Sequence, residues 1–110
     1  MNTKIPYDVY ESPYEVVIII PFWWVKKESI EMKIRHETIF ITWERIAPSI
    51  RKDFNTIQKL CFRGKVELSI DLPPDSNYKN MHSTLSRENI LTIIIPKNII
   101  PEHIKVAIEE

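Results

Sequence analysis

Much of this chain alternates apolar and polar residues with a period of two, which is how a strand half-buried in a sheet is written. Ile30-Glu31-Met32-Lys33-Ile34-Arg35 keeps the alternation strictly, so Ile30, Met32 and Ile34 share one face. Lys65 to Leu72 does the same and groups Val66, Leu68, Ile70 and Leu72. Two runs are more continuously apolar: Tyr14 to Ile20, ended by Pro21, and Ile90 to Ile95, entered through a turn-forming Asn89 and stopped by Pro96. β-Branched residues dominate both, as they do in buried strands. Asp8-Val9-Tyr10-Glu11, Ile39 to Glu44 and Met81 to Leu85 complete the set of predicted strands.

Between them lie recognisable breaks. Ser12-Pro13 is a turn, Phe22 to Ser29 is a connection with Lys26-Lys27-Glu28 as its solvated part, and His36-Glu37-Thr38 joins a hairpin. Pro73-Pro74-Asp75-Ser76-Asn77 is a loop. Residues 46–62 are ambiguous, because Ile46, Ile50, Phe54, Ile57 and Leu60 recur at helix-like spacing behind Pro48. A short helix and a loop carrying one strand both fit that stretch. Short strands at close spacing predict an all-β, immunoglobulin-like antiparallel sandwich of seven to eight strands.

The composition narrows the function classes. At 110 residues, with 44% hydrophobic and 27% charged, the chain has room for one packed domain. Lys+Arg and Asp+Glu both total 15, so there is no basic excess to meet nucleic-acid phosphates. One glycine against eight prolines leaves too few positions of free φ for a phosphate-cradling loop or a nucleophile elbow. The longest apolar run, Val16 to Val25, has ten residues and contains Pro21, too short for a membrane span. Cys61 is the only cysteine and no signal-peptide pattern opens the chain, so a reducing, cytoplasmic setting is expected.

Candidate chemistry is sparse. His36, His82, His103 and Cys61 have no recognised ligand spacing, so neither a metal site nor a cofactor is expected. Asp8, Glu11, Glu15, Asp71 and Asp75 sit beside turns or alternate with apolar residues, as solvated faces do; no enzyme activity is expected of them. Phe22-Trp23-Trp24 is the sharpest feature: either the rings cap one end of the sandwich, or they form an exposed apolar patch for a partner.

These segments, in order, resemble the α-crystallin domain of the small heat-shock proteins. Asp8-Val9-Tyr10-Glu11 is similar to that family's first strand, and Ile20-Pro21 followed by Val25-Lys26-Lys27-Glu28-Ser29-Ile30 to its aliphatic-proline turn and next strand start. Ile39-x-Ile41 with Glu44-Arg45, Arg63-Gly64-Lys65, Leu72-Pro73, and Asn89 through Pro96-Lys97 continue the match. The chain departs from the family where Trp43 and Asn89 replace glycines, where Phe22-Trp23-Trp24 replaces a glycine-containing turn, and where Ser83 replaces an alanine.

The resemblance implies a domain over residues 8–97, with a short arm (1–7) and a C-terminal extension (98–110). It implies an ATP-independent holdase that binds unfolding client proteins, with Phe22, Trp23, Trp24, Met32, Ile34, Met81 and Leu85 as binding residues. It further implies a homodimer in which the 46–62 segment, through Ile57 and Leu60, reaches Asp8, Val9, Tyr10 and Glu11 of a neighbour. Ile104, Val106 and Ile108 fit the family's Ile-x-Ile-like tail, suited to dock in a neighbour's groove. The alternative is an adaptor sandwich, like related co-chaperone domains, which holds one specific protein without general chaperone activity.

Overall fold

The computed structural model describes residues 5–46, 49–59 and 64–98. Seven strands are found among them: β1 (Asp8–Glu11), β2 (Glu15–Pro21), β3 (Val25–Arg35), β4 (Thr38–Arg45), β5 (Gly64–Asp71), β6 (His82–Leu85) and β7 (Ile90–Pro96). They form two antiparallel sheets, one ordered β1-β2-β7-β6 and the other β3-β4-β5. A 3-10 turn, Tyr78–Asn80, precedes β6. The expected antiparallel sandwich is the observed fold.

Period-two patterning builds the core. Across β2 and β7 the pairs Val16–Ile95, Ile18–Ile93 and Ile20–Leu91 point one way, and all six side chains are buried. Opposite them, β4 and β5 contribute Ile39–Ile70, Ile41–Leu68 and Trp43–Val66. Each fully buried aliphatic side chain stabilises the fold by about 1.5–3 kcal/mol, so these central strands dominate the hydrophobic term. Ile5, ahead of β1, also joins this core.

Two sequence expectations need correction, and one open alternative is narrowed. First, β3 begins at Val25, within the stretch read as a connection. Its register slips between Lys26 and Glu31, and Ser29 holds the irregularity: its hydroxyl donates to the Lys26 carbonyl (2.6 Å) and accepts from the Glu44 N–H (2.7 Å). The solvated Lys26-Lys27-Glu28 lies on a sheet edge, where charge guards against edge-to-edge pairing. Second, the β3–β4 turn has two residues, His36 and Glu37, and Thr38 already pairs with Arg35 and Asp71. The 46–62 stretch, left open between a short helix and a loop carrying one strand, shows neither over residues 49–59, where Ile50, Phe54 and Ile57 are all exposed. Helix-like spacing stabilises a helix only where the apolar stripe is buried, and an unpacked helix this short is not stable in water.

The departures at 43 and 89 separate cleanly. Asn89 takes φ 62°, the left-handed conformation that asparagine tolerates, and its carbonyl accepts from the Phe22 N–H at 2.8 Å. Trp43 sits in regular register opposite Val66, so its position asks for no glycine. The strained aromatic is Trp24, at φ 54° in the β2–β3 connection.

Candidate functional site

The aromatic triplet divides. Phe22 is 2% exposed and its ring lies 4.6 Å from that of Trp43, so it belongs to the core and is removed from the expected binding patch. The reason is local: the Phe22–Asn89 backbone bond closes the end of the sandwich and turns the ring inward. Trp23 (54% exposed) and Trp24 (43% exposed) remain on the surface. The Arg45 guanidinium stands 5.7 Å from the Trp23 ring centroid, a cation–π contact that sequence reasoning missed. Only the closeness of β3's start to β4's end, seen in the Val25–Arg45 pair, brings it about.

Met32, Ile34, Met81 and Leu85 lie on or beside two edge strands, β3 and β6. Met32 pairs with Ile41 and Ile34 with Ile39, so both face inward. Leu85 pairs with Leu91 and is likewise inward. All four, with Ile30, are only partly buried although they pack against the core. Buried neighbours one strand further in show the contrast: Ile39 and Ile41 are fully enclosed. The apolar rows therefore face the interior without being closed off at these edges. Ser83, opposite Ile93, also points inward yet is exposed, a small polar side chain in the β6 row.

Strand β1 bonds to β2 alone among the described residues, and Asp8, Val9, Tyr10 and Glu11 are all exposed. Lys97 anchors this corner: its ammonium lies 2.7 Å from Glu11 and 3.9 Å from Asp75, with its side chain 10% exposed. The backbone beside it is tied down too, since the Lys97 N–H donates to the Tyr14 carbonyl (2.8 Å) and the Asn98 N–H to that of Asp75 (2.7 Å). Ile57 is fully exposed, and the described residues 49–59 around it form no strand. Leu60, Ile104, Val106 and Ile108 lie outside the described residues.

Two open depressions flank the β3–β4 hairpin. One, of about 480 Å³, is lined by Lys33, Ile34, Arg35 and Phe40. The other, of about 620 Å³, includes His36, Asp71 and Tyr78, and there the Thr38 hydroxyl donates to Asp71 at 2.8 Å. Among the described residues, no group of three or more His, Cys, Asp or Glu side chains is placed to hold a metal. No helix among them is long and apolar enough to cross a membrane.

No family model matches the chain, and neither does any curated protein. Solved structures do. Heat shock protein 16.0 from Schizosaccharomyces pombe superposes with a TM-score of 0.76 at 19% identity, covering 98% of this chain and 100% of that one. A small heat-shock protein from Xylella fastidiosa gives 0.75 at 17% identity, covering 98% of both chains. One from Synechococcus phage S-ShM2 gives 0.67 at 18% identity, covering 98% of this chain and 99% of that one. The chain has the fold of the small heat-shock proteins. Identities this low establish the α-crystallin-type sandwich and leave its activity to be argued from this chain's own surfaces. On the small heat-shock protein fold, the features described above resolve into three: the half-open β3 and β6 edges, the free edge of β1, and the Trp23–Trp24 surface.

Proposed function

We propose that this chain is an ATP-independent holdase of the small heat-shock protein type, which binds unfolding clients through apolar surface and suppresses their aggregation. The observation that carries the reading is the half-open apolar row on the β3 and β6 edges: Met32, Ile34, Met81 and Leu85 face inward and stay reachable. Apolar side chains held open at a rigid sheet edge fit an extended aliphatic segment, the kind a partly unfolded protein exposes. The likeness to small heat-shock protein structures supports it, and the single cysteine suits a reducing, cytoplasmic setting. Light scattering of a heat-labile client, without ATP, at rising ratios of this protein tests it. Scattering should fall in proportion to added protein, and Leu85→Glu should remove most of that effect. Scattering unchanged at excess protein refutes the proposal.

The same reading includes a strand-swapped homodimer over residues 8–97, in which the 46–62 segment adds to β1 of a neighbour. It is supported by the edge of β1, which bonds to β2 alone among the described residues, and by the exposure of Ile50, Phe54 and Ile57. A monomer by sedimentation at tens of micromolar (about the usual working range) contradicts it. Ile104, Val106 and Ile108 are assigned to a neighbour's groove, so deleting residues 102–110 should reduce any larger assembly to dimers. A second reading, an adaptor for one protein, is favoured by the Trp23–Arg45 pair, because tryptophan and arginine are the residue types enriched at binding hot spots. It predicts a stoichiometric complex with one partner, lost in Trp23→Ala, and no protection of generic clients.

A further inference from the structure

Strands β2 and β7 are apolar on both faces. Their inward side chains fill the core, but Val17, Ile19 and Pro21 on β2, and Ile90, Ile94 and Pro96 on β7, point the other way. In a two-sheet sandwich the outward face normally alternates to polar residues, because water covers it. Here those outward side chains are all partly exposed, Ile90 the most so at 37%. Cross-strand pairing arranges the centre of this face in two rows: Tyr10, Val17, Ile94 and His82, then Asp8, Ile19, Thr92 and Thr84. Between its edge strands neither row carries a charge.

We propose that this face is a contact surface between copies of the chain, packed face to face against the same face of a second copy. Self-complementarity supports that occupant. A two-fold axis along the strands sets Tyr10 opposite His82 and Asp8 opposite Thr84. A two-fold across the strands sets Tyr10 opposite Asp8 and His82 opposite Thr84. Neither arrangement opposes two acidic groups, and both bring the central aliphatics together as two stacked sheets do. The area sets the strength. Four strands about 4.8 Å apart and up to seven residues long, at about 3.3 Å each, give roughly 400 Å² per copy. A stable isolated pair needs about 800 Å² per partner. The contact is therefore weak by itself and adds to an association made elsewhere on the chain. It does not depend on the holdase reading.

Ile94→Glu and Ile94→Lys, separately and mixed in equal amounts, test the contact by sedimentation velocity across a wide range of protomer concentration, with far-UV circular dichroism as the check on folding. Each charged variant should need at least about tenfold more protein to reach the wild-type's largest species. The equimolar mixture should recover that species, because the two copies' positions 94 lie one strand or one row apart across the contact, near enough for opposite charges to attract. Thr92→Glu places a charge on the same face without removing an aliphatic, so it reads the contact even where position 94 disturbs the fold. Wild-type size distributions in the single variants, a mixture that stays dissociated, or a wild-type protein that never self-associates would each overturn the proposal. Lost client protection with unchanged assembly would also overturn it, by assigning the face to clients. Groove variants such as Leu85→Glu report on the holdase reading separately.

Discussion

Phe22→Ala is the most discriminating substitution, because Phe22 and Trp23 are adjacent in sequence and opposite in environment. The Phe22 ring is 2% exposed and packs 4.6 Å from Trp43, itself 1% exposed. Truncating a buried phenylalanine costs about 3–5 kcal/mol, through lost transfer energy and the cavity left behind. Its backbone bond to Asn89 survives the change, so the estimate concerns the ring alone. Against a total stability of about 5–15 kcal/mol, a loss near 4 is a large share. At about 4 °C or more per kcal/mol for a domain of this size, the melting temperature should fall by roughly 15–20 °C. Trp23→Ala removes a half-exposed ring and one exposed cation–π contact, and should cost about 1 kcal/mol or less. Urea denaturation followed by far-UV circular dichroism, at one fixed protomer concentration, measures both. Equal losses for the two variants, or less than about 1 kcal/mol for Phe22→Ala, would refute the division of the triplet into a core ring and a surface ring.

Three further outcomes follow from single sites. Asn89→Gly should leave stability unchanged or raise it by up to about 1 kcal/mol, since glycine accepts φ 62° freely, whereas Asn89→Val should lose about 1–2 kcal/mol in the same denaturation assay. Lys97→Met should cost only about 0.5–1.5 kcal/mol, because the Glu11 left behind is half exposed and rehydrates; a double-mutant cycle with Glu11→Gln isolates the pair, and the wild-type's advantage should shrink with added salt. Ser83→Val should strengthen binding of a peptide spanning residues 98–110, by roughly 1–2 kcal/mol for the added apolar groups, as read by fluorescence anisotropy. A weaker or unchanged affinity would show that the peptide does not lie on the β6 row.

Strand positions were legible because a two-residue period survives wherever one face is buried and the other wet, as in Ile30–Arg35 and Lys65–Leu72. What escaped was whatever depends on the partner strand. Lys26-Lys27-Glu28 reads as a loop because its charges obey no alternation, and only the bulge held by Ser29 lets such a stretch remain in a sheet. The apolar spacing through Ile50, Phe54 and Ile57 fits a helix as well as a loop because periodicity says nothing about what lies opposite. All three side chains are exposed. Of the expected binding residues, Met32 and Ile34 were legible as sharing one strand face with Ile30, since parity along a strand decides it. Their partial exposure was not readable, because it depends on which strands end up at the sheet edges.

Glycine scarcity shows most clearly how local chemistry and fold are balanced. Four described residues have positive φ, and only Gly64 among them is a glycine; Trp24, His36 and Asn89 are the others. Each non-glycine residue in that region costs about 1–2 kcal/mol relative to an unstrained one, less for asparagine. Such strain persists only where the surroundings determine the backbone. At Trp24 that determination is visible on both sides: the Trp24 carbonyl accepts from the Ile46 N–H at 2.7 Å, while Phe22 is fixed by its bond to Asn89 and its ring against Trp43. A glycine at position 24 would satisfy the same geometry with less strain. Keeping tryptophan there holds a large aromatic ring at the surface beside Trp23 and Arg45, against the local steric preference. The strain at position 24 is thus the cost of placing this ring at the surface, and Trp24→Gly should relieve it, raising stability in the same denaturation assay.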